Sequence, residues 1–133
     1  LCSPEVLTEQ YRLRDHPSIY FAGQITGVEG YIESTASGYL AAFYAAMQFK
    51  GINPVITPDS ETVIGAMAQY VSDSSIKKFV PMNANFGIVK PIGIKFKGKT
   101  AKKDKNLAIA NRALEQIDRF AEYVNTIKNW GER

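Results

Sequence analysis

The 133-residue chain is 45% hydrophobic and 22% charged, an ordinary composition for one globular domain, which excludes a disordered, collagenous or disulfide-knit protein. No run approaches the roughly 18–20 consecutive apolar residues that cross a bilayer, and the start lacks the basic-then-apolar layout of a signal peptide, so the sequence reads as soluble and cytoplasmic, with no membrane partner. The net charge of +3 is unevenly divided: residues 1–74 hold 3 basic and 8 acidic side chains, residues 75–133 hold 13 and 5.

Leu1 opens the sequence and the first methionine is Met47, which reads as the tail of a longer protein. Cys2, the single cysteine, permits neither an internal disulfide nor a cysteine-based metal site and reads as a small apolar residue. Residues 8–14 alternate polar with apolar and end at Asp15-His16-Pro17, a pattern for an exposed edge strand and a turn in which His16 is structural. Ile19-Tyr20-Phe21-Ala22 is a continuous apolar run, as in strands buried on both faces, with sheet partners outside this sequence. It stops at Gly23 and leads through a glycine-rich loop to residues 34–50, which are apolar nearly all round: Tyr39, Leu40, Phe43, Tyr44, Met47 and Phe49 stand among alanines. A helix without a polar face is a buried helix. Gly51 is placed to cap it, Lys50 suits the negative end of its dipole, and Pro54 prevents continuation.

A second helix is expected from Pro58-Asp59-Ser60-Glu61, acids in its first turn, followed by Val63, Ile64, Met67, Ala68 and Val71 at helical spacing. Residues 74–101 read as loop with extended pieces at Phe86–Val89 and Ile92–Phe96, Phe86 being a core residue. The last helix carries a stripe of Leu107, Ala110, Leu114, Ile117, Ala121 and Val124, widened by Phe120 and Ile127, opposite Arg112, Glu115, Asp118, Arg119 and Glu122. Trp130 follows as a docking residue or a tail contact. Taken alone the chain is α+β and mostly helical, with a strand-loop-helix unit over residues 1–53 and a helical, basic region over 54–133.

Two segments suggest chemistry. A glycine-rich loop that opens a helix presents backbone N–H groups at the positive end of a dipole, and Gly27 and Gly30 would let a ligand approach the backbone closely. The spacing is not the dinucleotide fingerprint, and the pattern alone favours a tight structural turn over a ligand cradle. Asn83 and Asn85 can close local turns or reach a ligand. Within residues 77–112, ten basic side chains face one acid, Asp104, a field that suits phosphate-bearing partners as well as a solvated surface.

The run Phe21-Ala22-Gly23-Gln24-Ile25-Thr26-Gly27-Val28-Glu29-Gly30-Tyr31-Ile32-Glu33-Ser34, with Ala36-Ser37-Gly38 after it, resembles the late flavin-binding segment of the folate-dependent tRNA uracil-5 methyltransferases, the TrmFO family. Gly65-Ala66-Met67 and Pro81-Met82-Asn83-Ala84-Asn85-Phe86-Gly87 match the same family. The related wobble-uridine flavoenzymes, the glucose-inhibited division protein A family, share a similar Gly-Gln-Ile-x-Gly-x-x-Gly-Tyr-x-Glu pattern but lack the Asn-Ala-Asn-Phe-Gly segment. The resemblance implies FAD as a noncovalent cofactor, NAD(P)H as reductant, 5,10-methylenetetrahydrofolate as methyl donor, and the T-loop uridine at tRNA position 54 as substrate. It implies that residues 1–53 are the late strand, glycine-rich loop and buried helix of an α/β Rossmann-type FAD-binding domain, with appended helices after them. The family's dinucleotide fingerprint and catalytic cysteines would lie upstream, so this chain carries no catalytic residue and no metal site, and is inactive alone.

On that resemblance Gly23, Gln24, Ile25, Thr26 and Gly27 lie along the flavin, and the backbone around Val28, Glu29, Gly30 and Tyr31 faces the pyrimidine edge of its ring. Glu29 and Tyr31 are the candidates for folate, by hydrogen bonding to pterin N–H groups and by stacking. Glu29 also suits a first-turn acid on the helix dipole, and Tyr31 also suits hydrophobic packing. Lys95, Lys97, Lys99, Lys102, Lys103 and Lys105 are the candidates for tRNA phosphates. A strand and a helix meant for missing neighbours imply self-association or a partner chain. The other readings are a non-catalytic RNA-binding helical module and a flavoenzyme of the wobble-uridine pathway.

Overall fold

Pro4 sits in the first turn of a one-turn helix, α1 (Ser3–Val6), where its missing N–H costs nothing. The structure, a computed structural model, describes residues 1–53 and 55–128, the last by its backbone alone. Pro54 and Trp130 lie outside the described residues. After α1 the chain doubles back on itself at Tyr11, which is buried and takes a left-handed backbone with φ +58°. The expected edge strand over 8–14 shrinks to two isolated antiparallel bridges, Leu7 with Leu13 and Arg12 with Tyr20. The expected doubly buried strand at Ile19–Ala22 does not form either: Ile19 is 45% exposed, and Arg12 is the bridge partner of Tyr20. Among the described residues its one neighbour is the antiparallel stretch 11–13, the Phe21 amide donating to the Tyr11 carbonyl and that of Leu13 to Ile19, and no parallel strand lies beside it.

The ladder lies further on. A 3-10 turn (Gly23–Thr26) leads to β1 (Val28–Glu29), which pairs in parallel with β2 (Met82–Asn83), Val28 opposite Met82 and Glu29 opposite Asn83. Parallel pairing of segments so distant in sequence welds the glycine-rich loop to the middle of the chain, with the Met82 amide donating to the Gly27 carbonyl at 3.1 Å.

Helix α2 (Tyr31–Phe49) starts three residues before the expected Ser34, because Gly30, at φ +101°, turns the chain straight from β1 into the helix. Lys50 closes it and Gly51 follows in the left-handed region, its amide donating to the Gln48 carbonyl and that of Ile52 to Met47, the cap expected from the sequence. One face of α2 is buried through Ser37, Leu40, Ala41, Tyr44 and Met47. The opposite face is open, with Ile32, Tyr39 and Phe49 exposed; a helix apolar all round is here covered on one side.

Helix α3 (Val63–Tyr70) begins at Thr62, whose hydroxyl accepts the Gly65 amide at 3.0 Å. The acids expected in its first turn belong instead to a preceding turn, where the Asp59 side chain accepts the Glu61 amide at 2.7 Å. Helix α4 (Ala101–Lys128) buries Ile109, Phe120, Val124 and Ile127. The expected stripe holds at Phe120, Val124 and Ile127 and fails at Leu107, Leu114 and Ala121, which are exposed, Leu114 at 62%. Both sides of α4 carry apolar residues, and the face that turns inward is the one bearing Phe120, whose ring meets Phe43 of α2 edge-on at 5.7 Å, an aromatic pair worth about 0.5–1.5 kcal/mol beyond its buried area.

One core cluster therefore joins Tyr11, Val28, Leu40, Tyr44, Met67, Val71, Phe120 and Val124 from every part of the chain, and a smaller one joins Ala66, Val89 and Ile109. The segments at 86–89 and 92–96 run as irregular chain rather than strand, Ile88 and Ile92 packing on the smaller cluster while Phe86 is exposed, not core. The result is a mixed, mostly helical structure with one short parallel pair. Among the described residues no helix is long and apolar enough to cross a membrane.

Candidate functional site at the glycine-rich loop

The loop is held from inside. The Gly23 amide donates to Ser37 Oγ at 2.8 Å, Ser37 in turn donates to the Ser34 carbonyl, and Thr26 Oγ1 donates to the Gly23 carbonyl at 2.8 Å. Thr26, Gly27 and Val28 are buried. At Gly27, φ +90°, a side chain would run into the Phe79 ring, so the close approach that this glycine permits is made by the chain itself. Gly30 is equally occupied on that side, by the Glu33 carboxylate and the Asn83 amide.

What remains open is a hollow of about 520 Å³ with a mixed lining, the polar one of two at the start of α2, bounded by Gly23, Gln24, Gly30, Tyr31 and Ser34. The first amides of a helix have no partner inside it, and they carry the positive end of its dipole. Beside this hollow, on the outer face of α2, Tyr31, Ile32, Thr35, Ala36, Tyr39 and Ile64 line an apolar hollow of about 490 Å³. Tyr31 stands between the two and is 96% exposed, so packing within this chain does not account for it. Of the candidate flavin residues, Gly23, Gln24, Gly30 and Tyr31 come together around the polar hollow. Ile25, Thr26, Gly27 and Val28 do not line it, and Glu29 is exposed next to it on β1.

Glu29 precedes the helix, and the first-turn acid is Glu33. Glu33 is held below the usual carboxylate range chiefly by the backbone amide of Ala84, which donates to Oε1 at 2.8 Å, then by its own backbone amide and by Asn83. Asn83 Nδ2 also donates to the Glu29 carbonyl at 3.0 Å. Asn85 closes a local turn, accepting the Gly87 amide at 2.8 Å. Sequence reasoning misses Glu33, Ser34 and Ser37; an acid three residues after a helix-opening glycine is the signal that could find the first.

The basic segment divides by role. Lys90 and Arg112 pair with Glu61 at 3.5 and 3.6 Å, Arg112 donates to the Lys90 and Pro91 carbonyls, and Gln116 donates to Glu61. These residues bind α4 to the turn before α3. Lys95, Lys97, Lys99, Lys102, Lys103 and Lys105 are all exposed, and among the described residues none forms an ion pair. The last three occupy the first turns of α4, where lysines add to the positive dipole end rather than oppose it. Cys2 is exposed and free, and the described residues hold no cluster of metal-ligating side chains.

The sequence matches the family described as Glucose inhibited division protein A over residues 1–53. It is 47% identical over 120 residues to a methylenetetrahydrofolate–tRNA-(uracil-5-)-methyltransferase TrmFO of Ligilactobacillus salivarius, an alignment covering 90% of this chain and 27% of that protein. The proteins of the same name from Acetivibrio thermocellus and Lactiplantibacillus plantarum are 50% identical over 118 residues and 43% identical over 127 residues. These alignments cover 89% and 96% of this chain, and 26% and 28% of the relatives. Over nearly its whole length the chain is similar to these TrmFO proteins. It spans about a quarter of the length of the TrmFO relatives it matches, and their kinship disfavours a non-catalytic RNA-binding module.

Proposed function

We propose that this chain supplies the flavin-, folate- and tRNA-facing C-terminal part of a cytoplasmic TrmFO enzyme that methylates C5 of the T-loop uridine at tRNA position 54. The observation that carries the reading is the polar hollow at the start of α2, with Tyr31 on its rim. FAD, once reduced by NAD(P)H, would supply the electrons that turn a one-carbon unit from 5,10-methylenetetrahydrofolate into a methyl group. The residues present suit it: Gly23, Gln24, Gly30 and Ser34 leave room for a flat ring, and the opening amides of α2 favour negative charge at its pyrimidine edge. Ile25, Thr26, Gly27 and Val28 form the frame behind them. Tyr31 offers an exposed aromatic plane and Glu29 an exposed carboxylate for a pterin's N–H groups.

The six exposed lysines hold tRNA by its phosphates, which positions the substrate without reading its sequence. The upstream remainder of the enzyme would complete a Rossmann-type FAD domain, supply the catalytic cysteines, and cover the open apolar face of α2. The test is methyl transfer from labelled methylenetetrahydrofolate by the full-length enzyme, with a visible spectrum of the protein as isolated. We expect flavin bands and incorporation into a tRNA transcript carrying U54 but not one carrying C54. Incorporation that ignores that substitution, or a protein without flavin, would overturn the reading.

A further inference from the structure

One carboxylate ties the site together. Glu33, in the first turn of α2, reaches back so that Oε1 accepts the amide of Ala84 at 2.8 Å, while its other oxygen lies against Gly30. Ala84 directly follows β2, and β2 pairs with β1, which runs through Gly30 into α2. Asn83, next to that carboxylate, spans the same gap from the other side by donating to the Glu29 carbonyl. A ring of contacts therefore encloses Glu29 and Gly30 and ends at Tyr31. The parallel pair it reinforces is only two residues a side, too short to hold register alone. A carboxylate fits this position because it accepts several N–H groups at once and its charge complements a helix start.

We propose that Glu33 is a positioning residue of the flavin site: through Ala84 and Asn83 it sets the path of Glu29-Gly30-Tyr31, and its charge tunes the end of α2 that borders the polar hollow. The inference rests on the reading of that hollow as a flavin site. A negative charge there opposes the negative charge gained on flavin reduction, so Glu33 holds the flavin less easily reduced than a neutral residue would. The two roles separate by substitution. Gln keeps an acceptor oxygen and removes the charge; Ala removes both.

The experiment uses the full-length enzyme and reads flavin potential against a reference dye, amide hydrogen exchange at Ala84, and the thermal midpoint. Glu33→Gln is expected to shift the reduced-to-oxidised ratio at fixed dye potential at least threefold toward reduced flavin, with the thermal midpoint retained. Glu33→Ala is expected to speed exchange at Ala84 at least tenfold and to weaken flavin retention. An unchanged ratio in the Gln variant together with unchanged exchange in the Ala variant overturns the proposal; should the Ala variant fail to fold, the ratio in the Gln variant decides alone. A wild-type enzyme that holds no flavin defeats the flavin reading itself, and exchange at Ala84 in that flavin-free protein still tests the brace.

Discussion

At the residue scale the two glycines of the loop do different work from the one their spacing suggests. Glycine permits close approach, and the sequence cannot say what approaches. At Gly27 it is Phe79, whose ring stands where a side chain would project, and the backbone there is left-handed. Gly27→Ala therefore meets two penalties, backbone strain and overpacking, and we expect a loss of about 2–4 kcal/mol in unfolding free energy. Urea denaturation checks this; a loss below about 0.5 kcal/mol, the scale of a neutral surface change, would mean that Phe79 moves aside freely. Glu33 is hidden for a related reason. It falls in the first turn of α2 only because the helix starts at Tyr31, and its role depends on Ala84, 51 residues away, a partner that no local pattern reports.

At the element scale, helices are legible in the sequence and strands are not. Periodicity locates α2, α3 and α4, because each helix repeats its inward residues over several turns. The two-residue strands β1 and β2 repeat nothing, and their pairing is a long-range event. The apolar run at Ile19–Ala22 carries the pattern of a buried strand without the neighbours that make one. In α4 the periodicity finds Phe120, Val124 and Ile127 but also takes in Leu107, Leu114 and Ala121, which are exposed, and passes over Ile109, which is buried; only Phe43 and the small cluster around Val89 choose between these apolar residues. The polar hollow is half legible: Gly23, Gln24, Gly30 and Tyr31 stand out in the sequence, and Ser34 does not. The first turns of α4 carry a further expectation. Lys102, Lys103 and Lys105 are exposed and add to the dipole field there, so replacing all three with Gln should weaken tRNA binding by the full-length enzyme. If each neutralises one phosphate, the slope of log affinity against log salt falls by about 2–3. An unchanged slope would remove these lysines from the interface.

At the scale of the whole molecule the distribution of apolar surface decides how the chain behaves. The outer face of α2 exposes Ile32, Tyr39, Ala42, Ala46 and Phe49, the last at 93%, along the full length of the helix. Leu107 and Leu114 form a second open stripe on α4. Contiguous apolar faces of this kind drive association in water, so the 133-residue chain by itself should sediment as concentration-dependent oligomers. Replacing Ile32 and Phe49 with Ser leaves the core cluster untouched, since neither belongs to it, and should shift the isolated chain toward monomer without lowering its thermal midpoint. The same pair of substitutions in the full-length enzyme should do the opposite, lowering the thermal midpoint, because there the face is proposed to be covered by the upstream part. Sedimentation velocity and thermal unfolding on the four proteins separate the cases. A monodisperse wild-type chain would show that these faces tolerate water, and an unshifted midpoint in the substituted full-length enzyme would show that nothing in the rest of the protein packs on α2.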